Sequence, residues 1–129
     1  MKKIIPVIAI ILFTTACQRI KPENLYGKWK YVKVSGSPAN PADSVKVMQL
    51  AVLKPYIQFT TKDSLIIFWD GSVLSHGIFK LDGHNINYTE TLPDGKTRQF
   101  PFYISKLTDK DLVFSTRGRD GSEVVAVKQ

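Results

Sequence analysis

The chain predicts an all-β domain, an eight-stranded antiparallel up-and-down barrel with one short helix between strands 1 and 2. Turn signals recur at near-regular intervals after residue 60, and four of them contain Asp-Gly, at 70–71, 82–83, 94–95 and 120–121. Both residue types tolerate positive φ, which makes the dipeptide a strong hairpin signal between apolar runs. The segments between the turns alternate apolar and polar residues, the pattern of strands with one buried face. Only residues 43–53 break that alternation, with Val45, Met48, Ala51 and Val52 at helical spacing.

Ahead of this domain lies a leader. Lys2 and Lys3 precede an apolar run from Ile4 to Phe13, and Thr14-Thr15-Ala16 follow it before Cys17, the only cysteine. That layout predicts a secretory signal peptide over residues 1–16, since the run is far short of the roughly 20 residues of a spanning helix. Thr15-Ala16-Cys17 resembles the lipobox of bacterial lipoproteins, which implies lipidation of Cys17. A lone cysteine in an exported chain has no internal disulfide partner, and lipidation gives it a role. Residues 17–23 then read as a polar tether and 24–129 as the barrel domain. Gln18 and Arg19 carry no acidic retention signal next to the cysteine, so the expected location is the cell envelope, anchored to the outer membrane.

The 129 residues less the first 16 leave 113, enough for one core and too few for two. Without Lys2 and Lys3 the formal charge falls from +7 to +5. The charges are scattered and form no runs, and no nucleic-acid-binding motif occurs, so nucleic acid is excluded as a partner.

The expected strands are 25–35, 55–60, 64–69, 72–81, 84–92, 96–106, 111–116 and 122–128. In the first, Gly27, Trp29 and Tyr31 share a face, while Val32 and Val34 fall with the lysines. That parity conflict requires either a bulge or a covered outer face. Gly36 to Pro41 form a loop, Asp43 or Ser44 caps the helix, and Lys54-Pro55 ends it. The inward sets are Ile57 and Phe59; Leu65, Ile67 and Trp69; Val73, Gly77 and Phe79; Ile86 and Tyr88; Phe100, Phe102 and Ile104; Leu112 and Phe114; Val124 and Ala126. Pro101 cannot donate to a ladder, which predicts a bulge or break in the sixth strand.

Gly27-Lys28-Trp29 at the start of the first strand resembles the first-strand signature of the lipocalins and the wider calycin barrels. With the lipobox, the strand count and the segment from Ile104 to Val113, the chain resembles lipocalin-like domains of small bacterial lipoproteins over residues 25–128. The resemblance implies a closed barrel and a binding protein, not an enzyme. Two family marks are missing, a Thr-Asp-Tyr turn and a final-strand arginine to stack on the tryptophan, so Trp29 is expected to plug the closed end as core.

Catalytic and metal chemistry find little support. His76 and His84 stand eight apart with no neighbouring ligands at metal spacing, and no nucleophile elbow, phosphate loop or cofactor motif is present. Glu90 is the one carboxylate with inward parity, expected at a watery rim. The positive signal is aromatic: Trp29, Tyr31, Phe59, Phe79, Tyr88, Phe102 and Phe114 share the inward face. They are candidates to bind a small apolar or amphipathic molecule, and the same set also describes a packed core. The alternative is a filled barrel that binds or inhibits a protein through loops near Gly36 to Pro41 and Arg117 to Asp120. Replacing Cys17 with Ser is expected to release the protein from the membrane fraction on cell fractionation.

Overall fold

A computed structural model describes residues 20–36, 45–116 and 122–129, with Val47 described by its backbone alone; Cys17 and residues 37–44 and 117–121 lie outside the described residues. A one-turn helix α1 (Pro22–Leu25) leads into β1 (Gly27–Ser35). Helix α2 (Val47–Leu53) follows, then β2 (Tyr56–Phe59), β3 (Ser64–Trp69), β4 (Ser72–Asp82), β5 (Asn85–Thr91), β6 (Thr97–Leu107), β7 (Asp111–Thr116) and β8 (Glu123–Lys128). Every strand pairs antiparallel with its sequence neighbours, and β8 returns to β1, closing the barrel in chain order. Gly71, Gly83 and Gly95 take positive φ in the three described Asp-Gly turns.

The parity conflict in β1 resolves as a bulge. Tyr31 faces Ala126 and Lys33 faces Val125, so Val32 is the extra residue and Val34 turns inward. A second bulge corrects the inward assignment of Val73. Ile67 pairs with Ser75 while Phe68 pairs with Val73, which makes Leu74 the inserted residue and puts Val73 outside, half exposed. β6 runs unbroken through Pro101, and its bulge lies at Ser105. Ile104 donates its N–H to His84 on the β5 side, so by alternation the Pro101 nitrogen faces β7. Pairing with β7 ends at Phe102 and Thr116, so no ladder bond is lost at the proline.

The helix differs from expectation in start and in buried face. Val45 forms a bridge to Val34, and α2 begins two residues later, after Lys46. Leu50 is buried, whereas Met48 and Val52 are 81% and 76% exposed and Ala51 is also exposed. A seven-residue helix lying across a rim inserts a single side chain, so the stripe expected of a helix on a sheet face does not form. Its end is fixed by Lys54 at φ 47, whose N–H donates to the Leu50 carbonyl, and by a bond from the Asp70 amide to the Leu53 carbonyl. The stretch read as tether packs against the barrel from Ile20 onward, and Leu25 is fully buried.

The opposite end is closed around Trp29. Its indole N–H donates to the Leu25 carbonyl at 2.8 Å. The Lys128 ammonium stands 4.6 Å from the indole centroid and also donates to the Tyr26 carbonyl. Lysine thus occupies the place for which the sequence showed no arginine. Gly27 has φ 119, and a Cβ there would lie 2.7 Å from the Lys128 ammonium. The Gly-x-Trp pattern therefore has two physical parts: a glycine that admits the cation and a ring that receives it.

Lys128→Met keeps the stem and removes the charge, and is expected to cost about 1–2 kcal/mol in urea unfolding. Burial pushes the Tyr31 phenol far above its ordinary value of 10.0. The contribution of a raised phenol is fully present below pH 10 and is lost as pH rises toward the folded value. Stability should therefore fall by about 1.4 kcal/mol per unit above pH 10 on account of this residue. Tyr31→Phe should flatten that slope in unfolding titrations between pH 9 and 11.

Candidate functional site: the barrel interior and its mouth

All seven aromatics singled out in the sequence are buried, and most of them touch one another. Tyr31, Phe114, Phe102 and Tyr88 form a chain of ring contacts at 6.1, 5.5 and 5.8 Å between centroids, and Phe59 meets Phe79 edge-on at 5.1 Å. Trp29 lies at the closed end beneath α1. Trp29, Ile57, Leu65, Ile86, Leu112 and Ala126 expose none of their surface, so no water-sized void opens onto these walls. The closed half is a packed core. Toward the mouth the wall loosens, and Ile67, Trp69 and Phe100 are only partly buried.

At that loosened level a polar chain is built on the inner wall. The Ser75 hydroxyl donates to Glu90 Oε2, and Tyr88 Oη lies 2.6 Å from Ser75 Oγ. Because the single Ser75 proton goes to Glu90, the phenol is the donor to Ser75. Arg98 Nη2 bonds Glu90 Oε1 at 2.8 Å, and its guanidinium lies 4.3 Å from the Phe100 ring centroid. The Glu90 side chain is 12% exposed and Arg98 56%. The expectation of a watery rim for Glu90 is thereby corrected: two partners hold the carboxylate inside the wall. Burial raises the Tyr88 phenol, Ser75 partly offsets this, and Glu90 adds to the rise. The proton on Tyr88 is held at neutral pH.

Gly77 makes this arrangement possible. It pairs with Glu90, and a Cβ on it would stand 1.9 Å from the Thr89 carbonyl oxygen and 2.8 Å from the Tyr88 ring. No side chain fits there, and the absence of one lets the phenol lie against β4 and reach Ser75.

Ser75 and Arg98 were not picked out from the sequence. Arg98 shares inward parity with Phe100 and Phe102, and reflection about the Asp94-Gly95 turn places it opposite Glu90, as the observed pairing does. His76 is exposed on the outer face of β4 and does not meet Glu90. His84, also exposed, lies beside Tyr103 with ring centroids 6.1 Å apart. Among the described residues no three of His, Cys, Asp and Glu come together as metal ligands.

Two open clefts lie outside the barrel. One of about 690 Å³ at the closed end runs between Ile20, Asn24 and the β6–β7 turn, and one of about 540 Å³ runs along the outer face of β4, β5 and β6 by Ile78, Asn87 and Pro101. The loops expected to bind a protein lie outside the described residues except for Gly36.

No family model and no curated protein matches the sequence. Among solved structures, the chain is similar to the bovine lipocalin allergen Bos d 2, with a TM-score of 0.47 and 14% identity over 85% of this chain and 75% of that one. It is also similar to odorant binding protein OBP1, with a TM-score of 0.44 and 16% identity over 84% and 73% of the two chains. By its own strand order and closure, the domain is an eight-stranded antiparallel up-and-down barrel with a lipocalin-like fold.

Proposed function

We propose that this chain is a binding protein of the cell envelope, lipid-anchored at Cys17 to the outer membrane, whose barrel mouth holds a small amphipathic molecule. The apolar part of that molecule lies against Ile67, Trp69 and Phe100 beneath α2. Its polar head accepts hydrogen bonds from Arg98, whose guanidinium has five N–H groups and commits Nη2 to Glu90. The closed-end aromatics, Trp29 foremost, serve as floor, with Tyr88 reaching up to the polar chain. Binding, not catalysis, is the role this geometry supports.

The observation that carries the reading is the Tyr88–Ser75–Glu90–Arg98 chain on the inner wall. Burying a carboxylate in an apolar wall is costly unless it is paired, and an apolar side chain would fill the same volume more cheaply. Apolar walls coupled to a few oriented polar groups are the usual lining of a small-molecule site.

The test is a titration with a dansylated undecanoic acid, followed by dansyl emission. Enhanced, blue-shifted emission is expected with the unaltered protein, and Arg98→Ala should weaken the affinity about tenfold or more. No enhancement, or equal affinity in Arg98→Ala, rejects mouth binding. Lipid anchoring is tested separately by the Cys17→Ser fractionation.

A further inference from the structure

We infer that the open rim of the barrel is a docking surface for a bilayer rich in anionic lipid. The three most exposed large apolar side chains of the described residues, Met48, Val52 and Leu74, gather there with Val73 from two neighbouring elements, while Ile78, 55% exposed, lies apart on the outer face of β4. Met48 and Val52 project from α2, and Val73 and Leu74, 50% and 64% exposed, project from the start of β4. The two elements are joined by the bond from Asp70 to Leu53 in the β3–β4 turn. Val73 is also paired with Phe68, whose ring stacks at 4.3 Å on Tyr56 just after α2. The bulge at Leu74 is what turns Val73 outward, so the strand irregularity itself builds the patch.

Charge favours a lipid surface. Lys46 and Lys54 bracket the helix, both exposed, with no acid between them, and Lys33 is exposed on the adjoining stretch of β1. Asp70 is the acid in the neighbouring turn, and Glu123, also exposed, pairs with Ser35 at the same end of β1. Apolar side chains on an exposed helix face and hairpin, flanked by three lysines, suit the boundary between headgroups and acyl chains, where lysine stems lie along the apolar layer and the ammonium groups meet phosphate.

The rim and α1 lie at opposite ends of the barrel. The docking stands on the rim's residues alone and does not depend on a ligand in the mouth.

The experiment uses the full chain with Cys17→Ser and a single thiol at the rim from Met48→Cys, labelled with an environment-sensitive NBD group. A second labelled chain carries Lys62→Cys in the exposed β2–β3 turn at the closed end. With vesicles of phosphatidylglycerol and phosphatidylcholine, the rim label should shift to the blue and brighten severalfold while the closed-end label stays unchanged. Adding Lys46→Glu and Lys54→Glu should abolish the response. No shift at position 48, an equal shift at position 62, or an undiminished response after the charge reversals overturns the proposal. A shift that grows with protein concentration in the absence of vesicles also overturns it, and assigns the patch to a second copy of the chain.

Discussion

The contact on which the barrel most depends is that of Lys128 with Trp29. A closed meander has one seam between strands that are not consecutive in the chain, the pairing of its first and last, and here that seam is β1 with β8. Ladder bonds alone do not select it, because any strand edge offers the same amides and carbonyls. The closed end adds what the ladder lacks. A cation over an indole, bonded also to the Tyr26 carbonyl, fits only when Gly27 leaves room, and the indole N–H holds α1 as a cap beneath it. The first and last strands, the cap and the core thus meet at one ring.

The rest of the interior follows from that fixed floor. With Trp29 at the bottom, the inward residues stack as layers of large apolar side chains, and aromatic edges meet across the barrel. The layers thin toward α2, which covers the mouth with Leu50. Only at this level do Ser75, Glu90 and Arg98 appear, so apolar packing and polar chemistry are separated along the barrel axis. Gly77 marks the boundary between the two, since the missing side chain is what admits Tyr88 to both.

Much of this was legible in the sequence where the signal is local. Asp-Gly turns and period-two alternation are read within a dozen residues, and they located the strands to within a residue or two. Features that depend on register across strands were not legible. Val73 counts as inward until Leu74 is known to bulge, and that bulge follows from the partner strand and the curvature of closure. Lys128 resembles any terminal lysine until the seam brings it to Trp29. The face of α2 was misread because a seven-residue helix capping a rim has no sheet face to impose a stripe. Arg98 opposite Glu90 was recoverable, because a tight turn acts as a mirror and its two flanks can be paired by counting.

The seam also sets a schedule. Lys128 bonds a carbonyl 102 residues earlier in the chain, and β8 completes the ladder of the strand that is made first. Until residue 128 has been synthesised, β1 has an open edge, Trp29 lacks its cation and no partial product can close. Contacts this distant in sequence are slow to form, since loop closure must precede them. The topology that makes the finished barrel free of edges therefore also delays the folded state until β8 has been made.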